Sequence, residues 1–330
     1  MKIIRKMKHL ADRVYRQKIA CEQYPMLTLF DRKRLQANGA IGLVYMLHHI
    51  CDKNPIRIPT NEDLKVSPAS LENIILKYKA KGFDFISLDM LNNIVKSDDT
   101  PKRPFVAFTI DDGYLDNYTE ALPIFERQQV PFAVFIATDF IDKKAILWWD
   151  SIEDLIMSHK SIATSDGKCY SCESYQQRWN AFRYLRERIL NLNQKNLEYE
   201  LTKLFSNYDI DWYEPIRKKG MSWEHIISLA NHPLCTIGGH TISHPALSNL
   251  NMDGALREIS EGKKRIEQKI SQPVSYFAYP YGTPNEVGER EFKLTEELGF
   301  DIAFCAHGGC VTKDNKSQRY QLPRVYFHEY

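Results

Sequence analysis

Pro104-Phe-Val-Ala-Phe-Thr-Ile-Asp-Asp-Gly113 is a short apolar run that ends abruptly in two carboxylates and a glycine. Such a run, bounded by a turn, reads as a strand buried on both faces, the kind found in parallel sheets. Active sites of α/β folds lie just beyond the carboxyl ends of these strands, which is where Asp111 and Asp112 stand. Neighbouring carboxylates repel one another, so something has to compensate them, and a divalent cation is the natural candidate. The same tripeptide is also a good turn in which Asp112 merely caps the next helix, and taken alone the motif leaves both readings open.

Six more apolar segments, 41–47, 83–87, 131–138, 234–238, 274–279 and 302–306, alternate with helical patterns, the signature of a parallel α/β sheet or barrel. Between the first two, Ser67-Pro68 supplies an N-cap and an N1 proline, Leu71, Ile74, Ile75 and Tyr78 mark one helical face, and Gly82 ends it. Similar helices fit 116–128, 253–271 and 286–298, and Ser222 begins another. The stretch 140–221 is too long for a loop; its helical patterns at 149–158, 175–191 and 194–206 predict a helical insertion.

The composition narrows the function. With 43% hydrophobic and 26% charged residues the chain is neither disordered nor fibrous. Its 44 basic and 42 acidic residues leave a net charge of +2, which gives no support to nucleic-acid binding. No apolar run reaches the roughly 18 residues needed to span a bilayer, and the first ten residues lack the apolar core of a secretory signal. Seven scattered cysteines fit a reducing compartment, so the expected location is cytoplasmic. Residues 1–34 carry ten Lys/Arg against three Asp/Glu, with Ile3, Met7, Leu10 and Val14 at helical spacing. They predict a basic amphipathic helix that either packs on the body or makes peripheral contact with anionic lipid. The expected organisation is a helix and linker over 1–40 and a barrel over 41–330. Oligomeric state is not legible.

His240-Thr-Ile-Ser-His244 follows the fifth strand, at the same rim as the aspartates. In a helical turn residues four apart point the same way, so two imidazoles can share one cation. Two imidazoles and one carboxylate make three ligands and leave a place for water, the arrangement of a catalytic rather than a structural site. The combination favours a hydrolase.

Thr109-Ile-Asp-Asp-Gly113, His240-Thr-Ile-Ser-His-Pro245 and Phe277-Ala-Tyr-Pro-Tyr-Gly282 resemble, in order and placement, the first three motifs of the polysaccharide deacetylases (NodB-homology domain, carbohydrate esterase family 4). The resemblance covers residues 41–325 apart from the insertion. It implies a distorted (β/α)7 barrel and metal-dependent removal of N- or O-acetyl groups from a glycan or glycan precursor. It also implies that Asp111 is the base, that Asp112, His240 and His244 hold the ion, and that the backbone amide of Tyr114 stabilises the oxyanion. One zinc ion suits this ligand set, and cobalt or nickel would also be accepted.

The better-known branch has an arginine in the third motif, where this chain has Ala278, and a late histidine motif, where it has Leu322-Pro-Arg324. The pattern resembles a second branch whose first strand ends in histidine, here Val44-Tyr-Met-Leu-His48. The resemblance makes His48 the acid or oxyanion partner, and Arg324 a substitute for the missing arginine, orienting Asp111. An ordinary buried histidine and a surface ion pair are the plain readings of the same two residues. Tyr281 and Trp148, the latter in Trp148-Trp149-Asp150, are candidate sugar platforms; a packed aromatic at a turn is the plain reading of the first, and a core position at the start of a helix that of the second. Cys169-Tyr-Ser-Cys172 has no partner pair for a second zinc, and His307-Gly-Gly-Cys310 reads as loop. Dinucleotide, P-loop and serine-hydrolase motifs are missing. Removal of an acetyl group, N-acetyl ahead of O-acetyl, from an acetylated saccharide is the expected function. The rivals are an amidase acting on a non-carbohydrate amide and an inactive glycan-binding protein.

Overall fold

The computed structural model describes residues 32–37, 39–97 and 100–327. The basic helix expected over 1–34 therefore lies outside the described residues but for its last three.

All seven predicted strand segments form strands: β1 (Ala40–Leu47), β2 (Asp84–Phe85), β3 (Phe105–Asp112), β4 (Phe132–Ile136), β5 (Cys235–Gly239), β6 (Tyr276–Ala278) and β7 (Ile302–Phe304). They run parallel in the order β7-β6-β5-β4-β3-β1, with β2 alongside the start of β3. Of the short strands not legible in the sequence, two join this sheet, β8 (Val311–Thr312), antiparallel to β1, and β9 (Val325–Tyr326), parallel to it; His49–Ile50 with Lys65–Val66 and Ser161–Ala163 with Cys169–Ser171 form two-stranded pairs outside it. The segment leading into β9 is bonded to β7: Cys305 donates its amide to Leu322, and Leu322 donates to Ala303. The chain from Leu322 to Tyr326 thus spans the gap between β7 and β1 and completes a distorted (β/α)7 barrel.

Strand alternation sorts the side chains into two cores. Val106, Phe108 and Ile110 of β3 face outward to the helices, with Leu43 and Tyr45 of β1 and Val134 and Ile136 of β4. Phe105 and Ala107 face inward with Ala133, Phe135, Ala278 and Phe304. The same alternation aims Thr109 and Asp111 into the barrel, as polar groups in an apolar lumen. Gly42 makes room for one of the inward rings, since a Cβ there would lie 2.3 Å from Phe105.

The helices follow their sequence signals. Ser67 caps Pro68–Ala80 through its hydroxyl, and Asn251 caps Met252–Ile270 through its side-chain carbonyl, which accepts the Gly254 amide. The predicted helix over 116–128 opens as a wider π turn, Asn117–Ala121, before continuing as Leu122–Gln128. Between β4 and β5 the chain folds helices Trp148–Ser158, Tyr175–Leu190 and Leu197–Leu204. These pack on a core of their own that includes Trp148, Ile152, Phe182, Leu185 and Trp212. None of the described helices is long and apolar enough to cross a membrane.

Candidate active site

Three loops at the carboxyl rim converge. β3 ends in Asp112, whose φ of 82° is left-handed, and Gly113 follows at φ 99°. A Cβ on Gly113 would lie 2.9 Å from Ile141 and would still need the unfavourable φ, so only glycine completes the turn. Thr241 (φ 72°), His244 (φ 60°) and Tyr281 (φ 58°) share the left-handed conformation, so four of the seven described non-glycine residues with positive φ lie at this rim. Each costs on the order of 1–3 kcal/mol, strain that persists where the surroundings impose it, as functional sites do.

The His240–His244 segment is a loop, which corrects the expectation of a helical turn. A helix would have needed right-handed φ at Thr241 and His244. The loop is held from outside instead. Glu258, on helix Met252–Ile270, accepts the amides of Ile242 and Ser243 at 3.0 Å each and the Ser243 hydroxyl at 2.9 Å. The amides of Thr138 and Asp139 donate to the carbonyls of Thr241 and Ile242. Gly262 lets the helix approach, because a Cβ there would lie 2.9 Å from the Thr241 backbone.

The loop brings both histidines to Asp112. Nε2 of His240 and Nε2 of His244 each lie 3.4 Å from Asp112 Oδ1. Ligand atoms about 2.1 Å from a tetrahedral ion stand roughly 3.4 Å apart, so this spacing is the edge of a zinc-like coordination tetrahedron. Asp112 Oδ1 is buried without a hydrogen-bond partner among the described residues, a cost few proteins leave uncompensated. Nδ1 of His240 donates to the Ala278 carbonyl at 2.6 Å, which fixes the tautomer and turns the Nε2 lone pair inward. Burial pulls His244 down to about 4, so it is a neutral, ligand-competent imidazole. His240 is also disfavoured as a cation by burial, but Asp112 and Asp111 outweigh this and raise it. Burial pushes Asp112 up, and His240, His244 and His48 more than reverse this, leaving it a carboxylate. The donor set, its spacing and its orphaned oxygen fit one divalent ion.

Asp111 points the other way, into the barrel. Arg324 Nη1 and Nη2 clasp its two oxygens at 2.7 and 2.8 Å, and Nε donates to the Cys305 carbonyl at 3.1 Å. Burial raises the Asp111 carboxyl, but Arg324, then His240, hold it below its ordinary value. Arg324 is fully buried, so the surface ion pair is excluded.

His48 ends β1, half-buried, with its carbonyl held by Asn117 Nδ2 at 2.7 Å. Burial lowers it, the two aspartates oppose, and Arg324 adds to the lowering. Tyr114 is buried, and its ring stacks on His49 at 3.7 Å. In the antiparallel bridge that pairs Tyr114 with Gly220, the amides of Leu115 and Met221 donate to the carbonyls of Lys219 and Gly113, so the Tyr114 amide is not used by that bridge. Tyr281 lies with its ring 4.8 Å from that of His244. Trp148 is packed in the core of the insertion, while the half-buried Trp149 brings its ring 6.3 Å from His244; both border a cavity there. Glu258 was not singled out from the sequence, and of the tryptophan pair it was Trp148, not Trp149, that was named as the candidate. The signal for Glu258 was an acid beside the inward stripe Ala255, Ile259, Gly262.

A second group, His49, Cys51 and Asp116, gathers metal-competent atoms near the rim. Its His49 Nδ1 and Asp116 Oδ2 are 2.7 Å apart, a hydrogen bond rather than a coordination edge. Burial and Asp116 push the Cys51 thiol up to about 11, away from the thiolate a metal requires.

A family model described as polysaccharide deacetylase matches residues 98–303. The Bacillus subtilis (strain 168) protein YxkH, which carries a polysaccharide deacetylase name, is 20% identical over 282 residues, 86% of this chain and 70% of that one. Among solved structures, the Streptococcus pyogenes deacetylase PplD in complex with acetate aligns with a TM-score of 0.57 at 15% identity, covering 86% of this chain and 91% of that one. IcaB from Ammonifex degensii aligns with a TM-score of 0.53 at 16% identity, over 88% and 93% of the two chains. At these identities the structural likeness speaks for the fold.

Proposed function

The chain belongs to the polysaccharide deacetylase family, and we propose that it is a metal-dependent hydrolase that releases acetate from an acetylated saccharide, N-acetyl ahead of O-acetyl. The observation that carries the reading is the buried, unpartnered Asp112 Oδ1 at 3.4 Å from two imidazole nitrogens, with a second carboxylate next to it in the chain.

Asp112, His240 and His244 would hold the ion, zinc by preference with cobalt or nickel accepted. Bound there, it would supply Lewis acidity, lowering the pKa of water and polarising the acetyl carbonyl. Asp111 is then the base: Arg324 keeps it ionised and oriented, ready to take the proton of the attacking water. The Tyr114 amide, after the strained Asp-Asp-Gly turn, would stabilise the negative charge that develops on the acetyl oxygen. His48, beside both aspartates, returns a proton to the departing amine. Burial lowers its pKa below the ordinary value, with Asp112 and Asp111 opposing, so it is neutral at rest and the proton it passes to the amine is the one Asp111 removes from the attacking water.

The six cysteines among the described residues are free thiols, which supports a reducing, cytoplasmic setting. Peripheral membrane contact through the basic N-terminal segment belongs to the same proposal.

The test is acetate release by the zinc- or cobalt-loaded protein from a panel of acetylated saccharides, beside an Asp111→Asn variant. The hydrolase reading requires release by the wild type and its loss in the variant with metal still bound. A wild type that binds metal and saccharide but releases no acetate would instead be a glycan-binding protein.

A further inference from the structure

A cavity of about 410 Å³ opens beside His244. The barrel supplies one side through Pro245 and Tyr281. The opposite side comes from the insertion, through Gln194, Asn196, Glu198, Tyr199 and Tyr213. We propose that this cavity is the saccharide subsite, and that the insertion restricts the enzyme to short acetylated saccharides or to the terminal unit of a longer one. The proposal rests on the deacetylase reading and goes beyond it in naming the substrate class.

Position comes first. His244 lines the cavity and also stands 3.4 Å from Asp112, so a unit seated there lies directly beside the reacting acetyl group. Chemistry comes second. A sugar ring offers apolar faces and a rim of hydroxyls; it calls for flat aromatic surfaces together with amide and carboxylate groups. Trp149, Tyr199, Tyr213 and Tyr281 provide the former, and Gln194, Asn196 and Glu198 the latter. Size comes third. The volume sits near the lower end of the 300–1,000 Å³ typical of small-molecule pockets, space for roughly one or two sugar rings. The wall is also preorganised, because Tyr213 donates its hydroxyl to Glu198 at 2.7 Å. Residues of the insertion line the space beside His244 that a continuous polymer would have to cross.

The experiment measures acetate release by the zinc- or cobalt-loaded full chain from acetamido-sugar oligomers of one to six units and from the matching polymers. It is repeated with Tyr199→Ala and Glu198→Gln. Tyr199 is 65% exposed, so its truncation leaves the fold intact. The expected result is a kcat/KM for the short oligomers at least tenfold above that per unit of polymer. Both variants should raise KM for those oligomers severalfold to tenfold, with kcat and metal content held. Equal or faster turnover of polymer, or variants with unmoved KM, would overturn the subsite while leaving the deacetylase reading in place. No acetate from any member of a metal-loaded panel would overturn both.

Discussion

Arg324 reaches Asp111 from 213 positions away in the chain and grips both carboxylate oxygens, at 2.7 and 2.8 Å, inside the barrel. The guanidinium also anchors to Thr109 Oγ1 and the Cys305 carbonyl, and lies about 6 Å from the rings of Phe135 and Phe304. The residue that orients the proposed base therefore sits in the segment that completes the barrel.

Arg324→Gln should break both roles at once. Removing one partner of a buried pair leaves an uncompensated charge and costs about 3–5 kcal/mol. Urea unfolding should show that loss, and combining the change with Asp111→Asn should restore part of it. At temperatures where the single variant is folded, kcat should fall about a hundredfold with metal retained. Wild-type kcat in Arg324→Gln would make the pair structural only.

Glu258 would act on the proposed ion indirectly, as a positioning residue. It holds two amides and one hydroxyl of a loop that carries left-handed Thr241 and His244. Glu258→Ala should weaken zinc affinity about 10–100-fold, the usual effect of losing a group that orients a ligand. Isothermal titration calorimetry reads this directly, and Glu258→Gln should recover part of the affinity through its remaining carbonyl oxygen. Unchanged affinity in the alanine variant would show that the Thr138 and Asp139 amides hold the loop on their own.

The seven main strands and the grouping of Asp112, His240 and His244 were legible because both are local signals. Apolar runs of strand length and carboxylate or imidazole pairs at fixed spacing need no tertiary information. The loop conformation of His240–His244 was not, because its left-handed residues are imposed by Glu258 and Gly262 from another element. Arg324 was legible only through motif comparison, since nothing local to Leu322-Pro-Arg324 tells a buried arginine from an exposed one. The two-residue β8 and β9 carry too little pattern to read, whereas β2, equally short, was marked by the apolar Phe83, Phe85 and Ile86 in and around it. The cavity wall depended on how Gln194–Tyr199 docks on the barrel, and helical periodicity within the insertion carries no information about that docking.

Asp139 gives a pH test of the same corner. Burial, with Glu258 and opposed by Arg265, raises its carboxyl to about 6. An acid with a raised folded pKa binds more protons folded than unfolded between its unfolded value of roughly 3.9 and 6, so its contribution to stability declines as pH rises through that window. Asp139→Asn should therefore stabilise the protein at pH 7.5 by about 1 kcal/mol, discounted for partial exposure. The gain should shrink toward zero near pH 4. Thermal melts of both proteins across this range decide it, and a gain independent of pH would mean that the change acts through packing.

His48 tests the proposed acid. It stands just past the end of β1, its carbonyl fixed by Asn117, with burial lowering its pKa and Asp112 and Asp111 opposing. A residue that only packs there would lose stability on truncation and leave turnover alone. A proton donor to the leaving amine would do the reverse, because breakdown of the tetrahedral adduct stalls without it. His48→Ala should lower kcat by 10²–10⁴, the range for loss of a general acid, with KM and zinc affinity close to wild type. The loss should be smaller on an O-acetyl ester than on an N-acetyl amide, since an alkoxide leaves with less need of a proton than an amine. Equal losses on the two substrates would move His48 from proton donor to oxyanion partner, and unchanged turnover on both would remove it from the mechanism.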